Sequence, residues 1–241
     1  MVSANLVEYA RQKGWYDPAC GVFEYFRAYS EMGDESLRRE WRGNCLLGGR
    51  TFDQDERLLA VVPARKLGPR DIMVFLRDHY EGTEYDLTKG YEKGSPHHTS
   101  ERGICRMYTD ASTVAQLRSW LPHEIGGVCW IAVGTPCSSA YIPYYVGVTE
   151  FAKPYAFLSD KYDRENAFWV FNSLENLVDQ YYGEVTHDRV SDGTLQPGDI
   201  KAIEHVSRYW RDFEDKEFAM QEALEKVALE LYRQDKSLAY P

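Results

Sequence analysis

The side chains best suited to covalent chemistry in this chain are its cysteines and histidines. The cysteines are odd in number and widely spaced, with no C-x-x-C pair of the kind found in zinc and redox sites. No set of His, Asp and Glu residues has metal-ligand spacing either, so we expect no metal and no cofactor. Small buried thiols in a reducing compartment are the simpler interpretation. The cysteines are Cys20, Cys45, Cys105, Cys129 and Cys137.

Two of these thiols have an alternative interpretation as nucleophiles. Cys20 could act as an N-terminal nucleophile only after cleavage at Ala19, and an exposed turn would not stabilise its thiolate. Cys137 could pair with His97 or His98, but such partners meet in space, so sequence spacing does not fix their geometry. We therefore expect both cysteines to be structural.

The elements that would position these groups follow from the apolar patterns. The middle of the chain has short strands with tight turns, which favours antiparallel pairing, and the chain becomes helical from about residue 160. We predict an α+β fold in a single domain, 1–241, with a β-rich part at 101–148 and a helical part at 160–235. The predicted helices before that part are 4–13, 35–47 and 69–79, and the predicted strands are 22–29, 58–62, 104–108, 113–120, 128–133 and 139–146.

Charge and hydropathy exclude two classes of partner. The net charge is −10 and there is no basic stripe, so binding to a nucleic acid backbone is disfavoured. No run approaches the roughly 18 apolar residues that a membrane-spanning helix needs. The first residues do not resemble a signal peptide, and we expect a cytoplasmic protein unless an export signal lies upstream.

Several short motifs occur in one order along the chain. They are Gly14-Trp15-Tyr16-Asp17-Pro18, Arg77-Asp78-His79-Tyr80-Glu81-Gly82-Thr83, Val114-Ala115-Gln116-Leu117-Arg118, Ile125-Gly126-Gly127 and Ser138-Ser139-Ala140-Tyr141-Ile142-Pro143-Tyr144-Tyr145. Each motif is weak alone, and their order and spacing carry a resemblance. Together they resemble the dipeptidase A family of bacterial peptidases, which is related to the secernins.

The resemblance implies a four-layer αββα sandwich of the N-terminal-nucleophile hydrolase type. It also implies dipeptide hydrolysis by a cysteine at the first position of the mature chain, whose α-amine serves as the base. In that family the nucleophile and the first strands lie well upstream of the Gly-Trp-Tyr-Asp-Pro motif. We therefore expect this chain to be the C-terminal half of such an enzyme, without the nucleophile and inactive alone.

The same resemblance suggests residues that bind or support the substrate. An arginine on a strand of the second sheet lies near the nucleophile in such amidases, and Arg106 fits better than Arg102 because it lies deeper in the predicted 104–108 strand. A surface ion pair is the alternative for both. Glu81, with Asp86, could bind the substrate's ammonium group. His79 would close the 69–79 helix, where a structural role at the helix dipole is the alternative.

Other functions stay open at this point. The chain could be a non-catalytic remnant or a binding module of the same fold, or an amidase of the same superfamily that acts on a penicillin or a bile-salt conjugate. If half of a sandwich is missing, a bare sheet edge should make the chain associate with the N-terminal half or with itself.

Overall fold

A small antiparallel sheet forms the centre of the molecule. The computed structural model describes residues 3–30, 34–54, 56, 58, 60–88, 95–157, 159–180 and 204–236. The strands are β1 (Ala111–Leu117), β2 (Gly127–Val133) and β3 (Ile142–Tyr145), in the order β1-β2-β3. Val114 lies opposite Trp130, and Cys129 lies opposite Tyr144, so both pairings are antiparallel as predicted.

Helices pack against this sheet and make the fold α+β, which confirms the predicted class. The helices in the described part of the chain are α1 (Leu6–Gln12), α2 (Tyr25–Tyr29), α3 (Asp34–Gly48), α4 (Pro69–Leu76), α5 (His123–Gly126), α6 (Ala167–Gln180) and α7 (Glu204–Gln234). Short 3-10 turns lie at Pro18–Cys20, Pro136–Ser138 and Lys153–Tyr155. None of the helices described is both long enough and apolar enough to span a bilayer.

The core lies on one face of the sheet because every second residue of β1 and β2 points there. Met73 of α4 and Phe218 of α7 cover this face, and the Phe218 ring stacks on Trp130 with 4.2 Å between ring centroids. The Trp130 indole N–H donates to Gln116, which also accepts from Gln221 of α7. The buried core residues are Met73, Val114, Val128, Trp130, Ala132 and Tyr141.

Three predicted strands are wrong. Residues 25–29 form the short helix α2, held by the stacked rings of Tyr25 and Tyr29 and by the Tyr29 hydroxyl, which donates to Leu6 O. The described residues of 58–62 form no strand, and residues 104–108 consist of bends and a turn. In these segments the aromatic and apolar residues pack against nearby side chains and do not form a strand of the sheet.

The helix predicted over 69–79 is shorter than expected. Pro69 begins α4 as predicted, and the side chain of Asp71 accepts from Gly68 N–H, but the helix ends at Leu76. His79 therefore does not lie in the last turn of a helix, and the helix-dipole explanation for it is wrong.

Candidate functional site

Two histidines and two cysteines meet inside the molecule and form what we call the Cys2His2 cluster. His79 Nε2 lies 2.9 Å from His97 Nε2, and His97 Nε2 lies 3.6 Å from Cys137 Sγ. One donor atom from each residue lies within 4.8 Å of all the others. The cluster consists of His79, His97, Cys105 and Cys137.

His79 is held by an unusual backbone turn that follows α4. Tyr80 has a φ of 66°, in the left-handed region that residues with a side chain seldom adopt. This turn directs the Glu81 carboxylate back towards His79. Glu81 Oε2 accepts a hydrogen bond from the His79 backbone N–H at 2.6 Å, and Glu81 Oε1 lies 2.9 Å from His79 Nδ1. The Tyr80 hydroxyl donates to Arg102 O, which anchors the turn to the opposite segment. The position of the His79 ring is therefore fixed at both of its nitrogens.

Cys105 is tied to the same turn through the main chain. Its N–H donates to Asp78 O at 3.0 Å, and its side chain is almost fully buried. The Asp78 carboxylate accepts from Arg42 of α3 and from Tyr80 N–H. Arg42 also donates to Glu81 O, so α3 holds the segment that carries His79 and receives Cys105.

Cys137 lies in the 3-10 turn Pro136–Ser138, which a single arginine fixes. Arg77 donates to Pro136 O at 2.8 Å and to Ser139 O at 2.9 Å. The same guanidinium pairs with Glu214 of α7, which accepts from the Tyr141 N–H as well. The Arg77 side chain thus holds the residues on either side of Cys137 in place.

His97 and His98 have different surroundings although they are adjacent. His97 is almost fully buried, and its Nδ1 lies 3.6 Å from Asp179 Oδ1 of α6. His98 is 56% exposed, and its Nε2 lies 2.8 Å from Asp179 Oδ2. Of the two histidines considered as partners of Cys137, only His97 reaches the thiol.

The ionisation of these groups is strongly coupled. Burial opposes ionisation of Cys105, but the hydrogen bond from Cys137 and the nearby His79 outweigh it and hold the pKa of Cys105 well below its usual value. The hydrogen bond to Cys105 and burial raise the pKa of Cys137. Burial opposes protonation of His79, but Cys105 and Glu81 outweigh it and raise the pKa of His79 to about 10. The site therefore favours a thiolate on Cys105 paired with an imidazolium on His79.

A cavity of about 400 Å³ opens beside the cluster. His97 and Cys105 line it on one side, and Arg102 and Arg106 line it as well. Arg106 does not lie on a strand, since residues 104–108 form bends and a turn, so the reason for preferring it to Arg102 is wrong. Both arginines nevertheless lie at one cavity.

The other candidates from the sequence lie in structural surroundings. Both carboxylate oxygens of Glu81 interact with His79. The Asp86 carboxylate accepts hydrogen bonds from the backbone N–H groups of Gly82 and Thr88 and so stabilises the turn between them. Cys20 is exposed in its 3-10 turn, away from the cluster.

Cys105 is the functional candidate that the sequence did not single out. It lies 26 residues after His79 and 32 before Cys137, and no motif connects these positions. The only local signal was its place between the two arginines. The hydrogen bond from Cys105 N–H to Asp78 O, which brings it to His79, depends on the folded backbone.

Comparison with known proteins decides the family. The family model described as peptidase family C69 matches residues 1–193. The chain belongs to peptidase family C69. This membership confirms the resemblance to the dipeptidase A family that the motifs suggested.

Individual relatives of this C69 chain are much longer than it is. A probable dipeptidase of Salmonella dublin is 31% identical over 164 residues, which cover 63% of this chain and 36% of the relative. A probable dipeptidase of Latilactobacillus sakei is 32% identical over 120 residues, which cover 49% of this chain and 25% of the relative. Dipeptidase A of Lactobacillus helveticus is 28% identical over 144 residues, which cover 57% and 29%. The chain spans about a third or less of the length of these relatives.

Proposed function

We propose that this C69 chain is part of a dipeptide-hydrolysing enzyme whose nucleophilic cysteine lies outside these 241 residues. The observation that carries the proposal is the family match over residues 1–193. The names of the relatives and their greater length support it. On this proposal the chain is inactive alone.

The reaction would be amide hydrolysis in two steps. The terminal thiol passes its proton to the adjacent α-amine and attacks the scissile carbonyl, which gives a thioester and releases the C-terminal amino acid with that proton. Water then hydrolyses the thioester, which releases the N-terminal amino acid with a free carboxyl group and regenerates the thiol.

We propose that the cavity beside the cluster binds the substrate carboxylate. A dipeptide ends in a carboxylate one residue beyond the bond that is cut, and a guanidinium can pair with it through two parallel hydrogen bonds. The two cavity arginines, Arg102 and Arg106, supply that group. Roles for Glu81 and Asp86 at the ammonium end stay predictions, and the contacts of Glu81 with His79 make it the weaker of these candidates.

The first experiment measures hydrolysis of alanyl-alanine by the purified chain, alone and coexpressed with the segment encoded upstream. We expect no turnover by the chain alone and turnover by the pair. If the isolated chain hydrolyses the dipeptide and Cys20→Ala abolishes this activity, Cys20 would be the nucleophile. Absence of turnover in the coexpressed pair would favour a non-catalytic binding module.

The second experiment tests the carboxylate site without requiring turnover. Calorimetric titration should show that alanyl-alanine binds the chain more tightly than alanyl-alanine amide. Arg106→Met or Arg102→Met should weaken alanyl-alanine binding about 10- to 100-fold and leave binding of the amide unchanged. Arg11→Met, at an exposed arginine of α1, is the matched control. Equal binding of the two ligands by the unmodified chain would contradict the proposal.

One observation favours a second candidate, a nucleophile within this chain. Cys105 pairs with His79 and lines the cavity, and thiolate–imidazolium pairs are a common form of activated cysteine. Cys105 is only 3% exposed, however, which restricts access by a substrate. Turnover by the isolated chain that Cys105→Ser abolishes, and Cys20→Ala does not, would establish this candidate.

Three further expectations also stay predictions. A related amidase reaction on another amide would appear as turnover of that substrate but not of dipeptides. A cytoplasmic location and association with an N-terminal half are consistent with the proposed function and need their own measurements.

A further inference from the structure

We propose that the Cys2His2 cluster binds one Zn²⁺ ion as a closed structural site with four protein ligands. Two thiolates and two imidazoles are the donor set that tetrahedral zinc prefers in proteins. The metal binds both sulfurs as thiolates and both imidazoles through Nε2, and it releases the thiol proton of Cys137 and the Nε2 proton of the His79 imidazolium to water. The inference is independent of the proposed hydrolytic function.

The distances between the donor atoms suit this coordination. With zinc–sulfur bonds of about 2.3 Å and zinc–nitrogen bonds of about 2.05 Å, a tetrahedron separates a sulfur from a nitrogen by about 3.6 Å. The separation of Cys137 Sγ from His97 Nε2 is 3.6 Å. The same geometry separates two nitrogens by about 3.3 Å, and the two Nε2 atoms of His79 and His97 lie 2.9 Å apart. A movement of a few tenths of an ångström at one ring brings these two nitrogens to tetrahedral spacing, and all the donor atoms already lie within 4.8 Å of one another.

The orientation of the two rings is the second observation. Each histidine directs Nε2 into the cluster and has a carboxylate at Nδ1: Glu81 at 2.9 Å from His79 and Asp179 at 3.6 Å from His97. Zinc-bound histidines usually donate their other N–H to a carboxylate or carbonyl, which fixes the tautomer and aims the lone pair at the metal. Asp179 Oδ1 is buried and has no hydrogen-bond partner among the described residues, so it is available to accept from His97.

Three of the four segments that carry the ligands are already held in place. The His79 turn is anchored by Arg42, the Cys105 segment is joined to it by the main chain, and Arg77 holds the turn around Cys137. Four ligands from separate segments leave no position open for a water or a substrate, which is typical of structural zinc. The ion would join these segments into one wall of the 400 Å³ cavity.

The test begins with the unmodified chain, purified in the presence of a reductant and dialysed against ZnCl2. We expect about one zinc ion per chain by elemental analysis. Cobalt(II) in place of zinc should give the visible absorption of a tetrahedral site together with thiolate charge-transfer bands. Removal of the metal with a chelator should lower the thermal midpoint by roughly 5 °C or more.

Matched variants then assign the ligands. Cys137→Ser should abolish stoichiometric binding, whereas Cys129→Ser, a half-buried cysteine of β2 outside the cluster, should retain it. His97→Ala should lose the metal and His98→Ala should keep it. Glu81→Gln, which changes an orienting group rather than a ligand, should weaken zinc binding about 10- to 100-fold.

Either of two results would overturn the inference. One is a folded wild-type chain, verified by circular dichroism, that binds no stoichiometric zinc and shows no cobalt spectrum. The other is metal binding that survives in Cys137→Ser and His97→Ala, or that is lost equally in Cys129→Ser and His98→Ala. Because the cobalt spectrum is read on the wild-type chain, the test does not depend on the variants folding.

Discussion

The guanidinium of Arg77 joins three separate parts of the molecule. It pairs with Glu214 of α7 and donates to two carbonyls that flank Cys137, and both charged side chains are nearly buried. A buried ion pair of this kind is weak evidence of net stabilisation, but loss of one partner leaves an uncompensated charge. The cost of breaking it is therefore large.

Arg77→Ala should lower the free energy of unfolding by about 3–5 kcal/mol, because it leaves Glu214 buried and unpaired. Arg77→Ala/Glu214→Gln should be more stable than Arg77→Ala alone, since glutamine removes the charge and can still accept from Tyr141 N–H. Urea denaturation of the three proteins measures both differences.

The matched control for this pair is Arg70. It forms an exposed ion pair with Asp215 of α7 and lies over the Phe218 ring. Arg70→Ala should cost about 1 kcal/mol or less. A loss for Arg70→Ala as large as that for Arg77→Ala would show that contact with α7, rather than burial of charge, determines the effect.

For individual residues, the sequence predicted which side chains matter better than it predicted which side chains they contact. The Arg-Asp-His-Tyr-Glu motif was recognised, but the left-handed φ of Tyr80, which directs Glu81 back to His79, has no signature in a tyrosine. Cys105 was missed because its partners are distant in sequence and because sequence spacing cannot report a spatial cluster.

The helix α7 is attached to the end of β1 by a charged cluster. Arg118 pairs with Glu225 through two short contacts of 2.6 and 2.7 Å, and the Tyr145 hydroxyl of β3 donates to the same carboxylate. Burial disfavours the ionised carboxylate, but these hydrogen bonds outweigh that effect and hold the pKa of Glu225 below its ordinary value. A lowered pKa in the folded state links stability to pH.

This linkage predicts how Glu225→Gln depends on pH. At neutral pH the variant should unfold more readily than the wild type, because the ionised carboxylate stabilises the folded state. The difference should begin to shrink as the pH falls below about 4.3, where the unfolded glutamate takes up its proton, and should vanish below the lowered pKa of the folded state. Denaturant titrations across acidic pH measure this difference.

Glu222→Gln serves as the control on the same helix. Glu222 is exposed and pairs with Lys226, which lies one turn away on the same helix. Its substitution should change stability by about 0.5 kcal/mol or less at every pH. A Glu225→Gln difference that stays constant down to the most acidic pH would contradict the assignment of the pKa.

Element prediction succeeded where one face of a segment is buried. The alternation in β1 and β2 gave the strands and their antiparallel pairing, because half of their residues point into the core around Trp130. It failed for residues 22–29, where aromatic side chains stack on one another beside a short helix. The helical part predicted over 160–235 contains α6 and α7, and residues 181–203 lie outside the described part.

The sheet leaves two edges without a strand partner among the described residues. β1 and β3 each pair only with β2, and the outward residues of β1 are exposed. Edges of this kind favour pairing with another chain. The predicted self-association is therefore a property of the whole molecule rather than of one residue.

We expect the average mass from size-exclusion chromatography with light scattering to rise with protein concentration. Ala115→Lys, on the exposed face of β1, should shift the chain towards the monomer, because a charged edge strand resists pairing. Ala223→Lys, at an exposed position of α7, adds the same charge away from the sheet and should have no effect. A wild-type mass that stays monomeric at all concentrations would contradict the prediction.

For the molecule as a whole, the α+β class and the family could be predicted from the sequence, since both depend on the order of patterns along the chain. The four-layer arrangement remains what the family implies, because the described residues contain a single three-stranded sheet. The cluster and its cavity could not be predicted, because they form only when four separate segments meet.

The clamp between Arg77 and Glu214 also sets an order of events during synthesis. The two residues are 137 positions apart, so the ribosome must release most of the chain before they can meet. Until then Cys105 and Cys137 have been made but their segments are not yet fixed, and we expect their thiols to be more accessible to oxidants than in the folded protein, where Cys105 is buried and Cys137 half-buried. A reducing environment should therefore matter more during synthesis than after folding.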